Sequence, residues 1–214
     1  MLAYIGTHND EKGKGIHLCE FNSKTGELTN TGYVVEDKRP SFLAFHPSGA
    51  YLYSTSQVTG QPAGGVSAYA VDQTNGHLTF INRQASHGEG PCHVTVDSSG
   101  RFVFVANYNS GSVAMLPINA DGGLGEATDF DQHEGSSVHP TRQQGPFAHS
   151  IFPDPSNRFA LSCDLGVDKV FVYQLDFENG KLRPAPQPWM SVKPGAGPRH
   201  LDFHPNREWV YVIN

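Results

Sequence analysis

Short apolar runs separated by polar turns recur along the whole chain. Tyr51-Leu52-Tyr53, Phe102-Val103-Phe104-Val105, Phe159-Ala160-Leu161 and Trp209-Val210-Tyr211-Val212 are rich in aromatic and β-branched residues, which is strand chemistry. Each follows a polar turn, namely Ser48-Gly49, Ser98-Ser99-Gly100, Ser156-Asn157 or Asn206-Arg207. Before each turn stands another short strand-like run, at residues 40–47, 91–96, 147–153 and 198–205. Anchored on Phe42, His93, His149 and His200, these runs are spaced by 51, 56 and 51 residues. A third strand is expected at 66–71, 112–118 and 170–175, and turns at Gly26, Gly76, Gly123 and Gly180 lead into a fourth. No window carries the 3.6-residue apolar period of an amphipathic helix.

Four strands in a unit of about 50 residues is the arithmetic of a β-propeller blade. The pattern therefore predicts an all-β fold, a β-propeller with four blades and part of a fifth. A fifth unit opens at Pro198 and runs only to Asn214, the end of its second strand. Propellers carry about 4–8 blades. Residues 1–214 are thus read as one partial propeller domain, the N-terminal portion of a longer protein. The first strand, near residues 3–5, is expected to lack a partner blade. The resulting arc is expected to be open, prone to associate through its edges, and inactive alone.

Composition agrees with many short elements: 23 of 214 residues are glycine and 15 are proline. The formal net charge of -6 and the absence of a Lys/Arg stripe argue against nucleic acid as a partner. No apolar run approaches the ~20 residues of a membrane-spanning helix, so no membrane partner is expected. Residues 1–6 show no basic region followed by an apolar run. Cys19, Cys92 and Cys163 are odd in number and widely spaced, which suits thiols in a cytoplasmic protein better than a disulfide framework or a zinc site.

In a propeller, the opening of each innermost strand and the end of each second strand reach one mouth of the central channel. That places Phe42, His93, His149 and His200, with Ser56, Asn107, Asp164 and Asn214, around one axis. An alternative for His93 and His200 is that they hydrogen-bond the neighbouring blade's backbone. Arg199, in Gly195-Ala196-Gly197-Pro198-Arg199-His200, offers a planar fork to phosphate or carboxylate beside glycines that let a ligand approach. Arg142 lies in the polar insert 131–146, which lengthens the middle spacing. His133, His139, His149 and Glu134 match no metal-ligand spacing. No G-x-S-x-G or phosphate-loop motif is present. Neither a metal nor a cofactor is expected.

Gly6-Thr7, Gly145-Pro146-Phe147-Ala148-His149-Ser150, Asp164-Leu165-Gly166-Val167-Asp168-Lys169 and Gly197-Pro198-Arg199-His200-Leu201-Asp202-Phe203-His204-Pro205 together resemble the propeller-type lactonase family. Its members include bacterial 6-phosphogluconolactonase and the fungal carboxymuconate cyclase. The resemblance runs along the whole chain. It implies a seven-bladed ring and hydrolysis of a sugar lactone, with 6-phospho-D-glucono-1,5-lactone favoured because the mouth offers cationic and imidazole groups. It also implies an active-site set of His149, Arg199 and a glutamate that would follow Asn214. Many relatives have histidine where this sequence has Phe147. Opening a lactone needs a base, an oxyanion donor and a clamp for charge. His149 is the expected base, because an ordinary imidazole pKa near ~6.5 suits neutral pH, and Arg199 the oxyanion or phosphate partner. Arg142, His93, His200, Asn107 and Asp164 are the expected substrate-binding groups, with Asp164 also a candidate to orient an imidazole. A muconate-type cyclase and a non-catalytic ligand- or protein-binding propeller remain alternatives.

Overall fold

A computed structural model describes residues 1–8, 15–60 and 62–214. Among these residues there is no helix, hence none long and apolar enough to cross a membrane. The strands form five antiparallel sheets in chain order. The first contains β1 (Leu2–Gly6), β2 (Ile16–Phe21) and β3 (Leu28–Val35). The second runs β4 (Leu43–Phe45), β5 (Tyr51–Gln57), β6 (Gly64–Val71) and β7 (Leu78–Ala85). The third is β8 (Pro91–Val96), β9 (Phe102–Asn107), β10 (Ser112–Pro117) and β11 (Asp129–Gln132). In the fourth, β12 (Ala148–Pro153), β13 (Phe159–Asp164), β14 (Lys169–Asp176) and β15 (Lys181–Ser191) pair in that order. A two-stranded sheet, β16 (His200–Phe203) with β17 (Val210–Ile213), follows.

The second to fourth sheets have the expected four strands each, whereas the first has three among the described residues. By position, β1, β2 and β3 correspond to the second, third and outermost strands of the later sheets. β3 leads through Pro40 into β4 just as β7 leads through residue 90 into β8. The expectation of four complete four-stranded units is therefore met by three. A smaller difference falls in the third sheet. Gly123-Leu124 does not open its outermost strand, because Leu124 forms only an isolated bridge to Ile118 and β11 starts at Asp129.

The continuous apolar second strands are explained by burial on both faces. Val103 and Val105 of β9 pack with Tyr53, Val66 and Leu116 towards the second sheet. Phe102 and Phe104, the alternate residues, pack with Met115, Ile151 and Tyr173 towards the fourth. Each such side chain contributes about 1.5–3 kcal/mol on leaving water. Sheets therefore stack face to face, with β4 on β8, β8 on β12 and β12 on β16. The outermost β15 carries Pro184, Pro186 and Pro188, which an edge strand tolerates because fewer of its N–H groups are needed for pairing.

The turns between first and second strands close on aspartates. Asp97 accepts the N–H groups of Arg101 and Phe102 at 2.8 and 2.7 Å. Asp154 does the same for Arg158 and Phe159 at 2.9 and 2.7 Å.

Candidate active site

The innermost strands β8, β12 and β16 bring three imidazoles together, as the repeat predicts. Ring centroids of His149 and His200 are 5.0 Å apart, and those of His93 and His200 5.7 Å. His149, His200, Arg199, Tyr108, Cys92 and Phe42 line one cavity of about 650 Å³.

Arg199 and His149 are in direct contact. The guanidinium Nε–H donates to His149 Nε2 at 2.9 Å. A guanidinium can only donate, so the proton of this neutral imidazole sits on Nδ1. Burial lowers the His149 pKa to about 4, with the Arg199 charge as the next cause and His200 after it. The imidazole is thus neutral at pH 7 but less basic than its ordinary value implies.

Two buried carboxylates hold the loops that carry this pair. Asp164 accepts the Phe147 and Gly166 N–H groups at 2.8 and 2.9 Å. Gly166 lies so close to the loop before His149 that an added Cβ would stand 2.0 Å from the Gly145 carbonyl oxygen. Asp168 accepts the Gly195 and Gly197 N–H groups at 2.6 and 2.7 Å, together with the Ser137 hydroxyl. Burial alone would raise the Asp168 pKa, but these hydrogen bonds outweigh it and the net shift is downward. The carboxylate fixes the turn immediately before Arg199.

Two of the expected substrate contacts, Asn107 and Asp164, and the channel-mouth residue Ser56 are engaged by protein partners. Asn107 is fully buried: it accepts from Ser86 Oγ at 2.7 Å and donates to Ser86 O and Ser112 Oγ. Asp164 does orient an imidazole, but that of His133, whose Nδ1 lies 2.7 Å away. Ser56 donates to Asp37 at 2.6 Å. These ends of second strands close on the loop that leads into their own sheet. At each the buried polar side chain finds a protein partner there, so Asn107 and Asp164 do not line the cavity. His93 is likewise fully buried, and its Nδ1 accepts the Ile151 N–H at 3.3 Å. That is the backbone-bonding alternative, and burial first, then His200 and His149, lowers its pKa to about 3.

Arg142 is exposed in an adjoining hollow that shares Arg199 and also contains Asn214 and His139. His133 has both ring nitrogens engaged, with Asp164 and with the Tyr173 hydroxyl at 2.8 Å, which leaves no lone pair for a metal. No group of three metal-ligating side chains occurs among the described residues. Cys92 stands 3.2 Å from the His149 carbonyl oxygen, and burial pushes its thiol up to about 12, so it is no nucleophile at neutral pH. Residue reading missed Arg39, Tyr108 and Asp168. Tyr108 packs edge-on to His149 at 5.5 Å, and nothing in a repeat alignment marks it.

Stacked antiparallel sheets of four strands with a His–Arg pair in the cavity beside their innermost strands define the class. The chain belongs to the lactonase family of seven-bladed β-propellers, whose family model matches residues 2–214. Among its relatives, the 6-phosphogluconolactonase of Bacillus subtilis (strain 168) is 35% identical over 212 residues, covering 99% of this chain and 59% of the relative. The 6-phosphogluconolactonase of Formosa agariphila is 33% identical over 215 residues, covering 99% and 60%. The solved periplasmic gluconolactonase of Pseudomonas aeruginosa superposes with a TM-score of 0.92 at 32% identity, covering 99% of this chain and 60% of that one. The chain thus spans about three fifths of the length of the curated relatives it matches.

Proposed function

We propose that the protein hydrolyses a sugar lactone, 6-phospho-D-glucono-1,5-lactone, to the open acid. The observation that carries this reading is the contact between Arg199 and His149 at the cavity wall. In this reading residues 1–214 form part of a seven-bladed ring, with three complete blades, a three-stranded first blade and the start of a fifth.

His149 acts as general base towards water. An anion held by the guanidinium draws Arg199 off Nε2 and offsets its charge. Both effects raise the basicity of His149 when substrate arrives. The tetrahedral intermediate places its negative oxygen beside the same guanidinium, where a planar fork of donors stabilises it. His200 completes the wall beside them. Arg142 approaches the substrate from the adjoining hollow. A cytoplasmic setting fits the free cysteines Cys19, Cys92 and Cys163.

The test follows 6-phosphogluconolactone decay with the full-length protein and with its His149→Ala variant. Loss of a general base lowers kcat by about 10²–10⁴-fold. Equal turnover by both proteins removes the role of His149. Absence of any acceleration favours a propeller that binds without catalysis.

A further inference from the structure

The chain enters its innermost strands through the same kind of corner each time, a residue followed by proline: Arg39-Pro40, Gly90-Pro91, Gly145-Pro146 and Gly197-Pro198. At three of these corners the backbone is left-handed, with φ of 58° at Arg39, 63° at Gly90 and 65° at Gly197. Glycine adopts that conformation freely, whereas a long side chain there is strained. A following proline restricts the residue further. Arg39 therefore occupies a position that its sister repeats give to glycine. Strain of this kind persists where the surroundings enforce it, and it clusters at ligand clamps.

The surroundings do enforce it. The Arg39 carbonyl accepts from Ser41 N at 2.7 Å and from Thr55 Oγ1 at 3.2 Å. Asp37, two residues earlier, is anchored by Ser54, Ser56, Tyr69 and Arg83. Arg39 so held lines the same cavity as Arg199 and His149. No carboxylate stands among the described residues that line this cavity, although the chain carries a net charge of -6. Two arginines and no carboxylate among the described lining residues favour a positive potential there.

We infer that Arg39 is the specificity residue for a phosphorylated substrate, holding the phosphate monoester while Arg199 and His149 attend to the lactone carbonyl. This rests on the reading of the cavity as a lactonase site and names its substrate class, a phosphorylated sugar lactone as against the unphosphorylated one. Arg39 binds and selects; it takes no proton and makes no bond.

Calorimetry with 6-phosphogluconate and gluconate tests this apart from catalysis, using the wild-type protein, Arg39→Gly and Arg39→Asn. Both substitutions suit a left-handed backbone, so the fold is kept, and thermal unfolding verifies that. The wild type should prefer phosphogluconate, and each substitution should erase about 10- to 100-fold of that preference, the share of a charge-assisted contact. A preference that survives both substitutions overturns the inference, as does a wild type that fails to prefer phosphogluconate. Equal weakening of both ligands also overturns it, since Arg39 would then only shape the loop. The same variants assayed on the phosphorylated and plain lactones separate the two readings. If neither lactone is hydrolysed, the reaction falls while the binding ratio still decides Arg39. If the phosphorylated lactone is hydrolysed with undiminished preference by Arg39→Gly, the reaction stands and Arg39 falls.

Discussion

At the scale of the residue, the decisive interaction is a cation donating to a base. His149 is neutral above about pH 4 because burial, and then Arg199, oppose its charging. The acid limb of kcat/KM reports the free enzyme, so it should fall near pH 4 and not near 6.5. Arg199→Gln removes the smaller of the two main causes, and the limb should move upward part of the way. Arg199→Lys keeps the charge, so the limb stays low, while kcat/KM drops because an ammonium cannot copy the fork. A pH–rate series on the three proteins checks this; an unmoved limb in Arg199→Gln would show that the guanidinium does not tune His149. The same lowered values bear on stability. His93 and His149 bind protons more readily unfolded than folded, so stability rises with pH from about 4 to 6.5. The slope approaches about 1.4 kcal/mol per pH unit for each imidazole while both remain neutral in the fold.

Among the elements, the loop that carries Arg199 depends on a side chain two strands earlier in sequence. Asp168, at φ 54°, gathers two N–H groups and a hydroxyl. Asp168→Ala leaves those donors without their acceptor, at a cost of about 1–3 kcal/mol each where burial persists. Arg199 is then no longer held against His149. We expect kcat/KM to fall by about 10- to 100-fold, with the acid limb shifted upward, and Asp168→Asn to restore part of both. A kinetic and denaturation comparison separates this positioning role from plain destabilisation, which would leave the limb in place. The element pattern itself was legible, because doubly buried second strands carry short apolar runs and the turns between them are polar. The meeting of His149 and His200 followed from the repeat spacing, and Arg199 from its place beside His200 and from the family resemblance. The inward end of each second strand did not: Asn107 and Asp164 look like channel residues until the loop that covers them is seen. Arg39 was hidden for another reason. Its signal is a mismatch, arginine among glycines, and only a φ value shows that the shared position demands glycine-like backbone.

At the scale of the whole chain, residues 1–214 expose apolar side chains on the first and last sheets. Trp209, just before β17, is 59% exposed, Tyr211 and Ile213 on β17 are 61% and 65% exposed, and Leu2 and Ile5 on β1 are 44% and 42% exposed. Apolar strands of this kind recruit other strands. Residues 1–214 expressed alone should therefore self-associate, and Trp209→Lys with Tyr211→Lys should reduce that association. Light scattering after size exclusion measures both; a monomeric, monodisperse 1–214 would show that these surfaces are inert. A different lesson lies in the clasps at the inner ends of the sheets. Asp37 meets Ser56, Ser86 meets Asn107, and His133 meets Asp164, each pair at 2.6 or 2.7 Å. In every case the loop side chain grips the sheet it leads into, while the backbone N–H of Ser86 and of His133 donates to the unit it leaves, at Gly64 and Gly111. The structural unit closed by each clasp accordingly begins near residues 37, 86 and 133, one step before its first strand. Both halves of a clasp travel together when such a unit is duplicated or exchanged. Their chemistry is free to drift privately, from acid and hydroxyl to hydroxyl and amide to imidazole and acid, while the neighbouring units need no matching change.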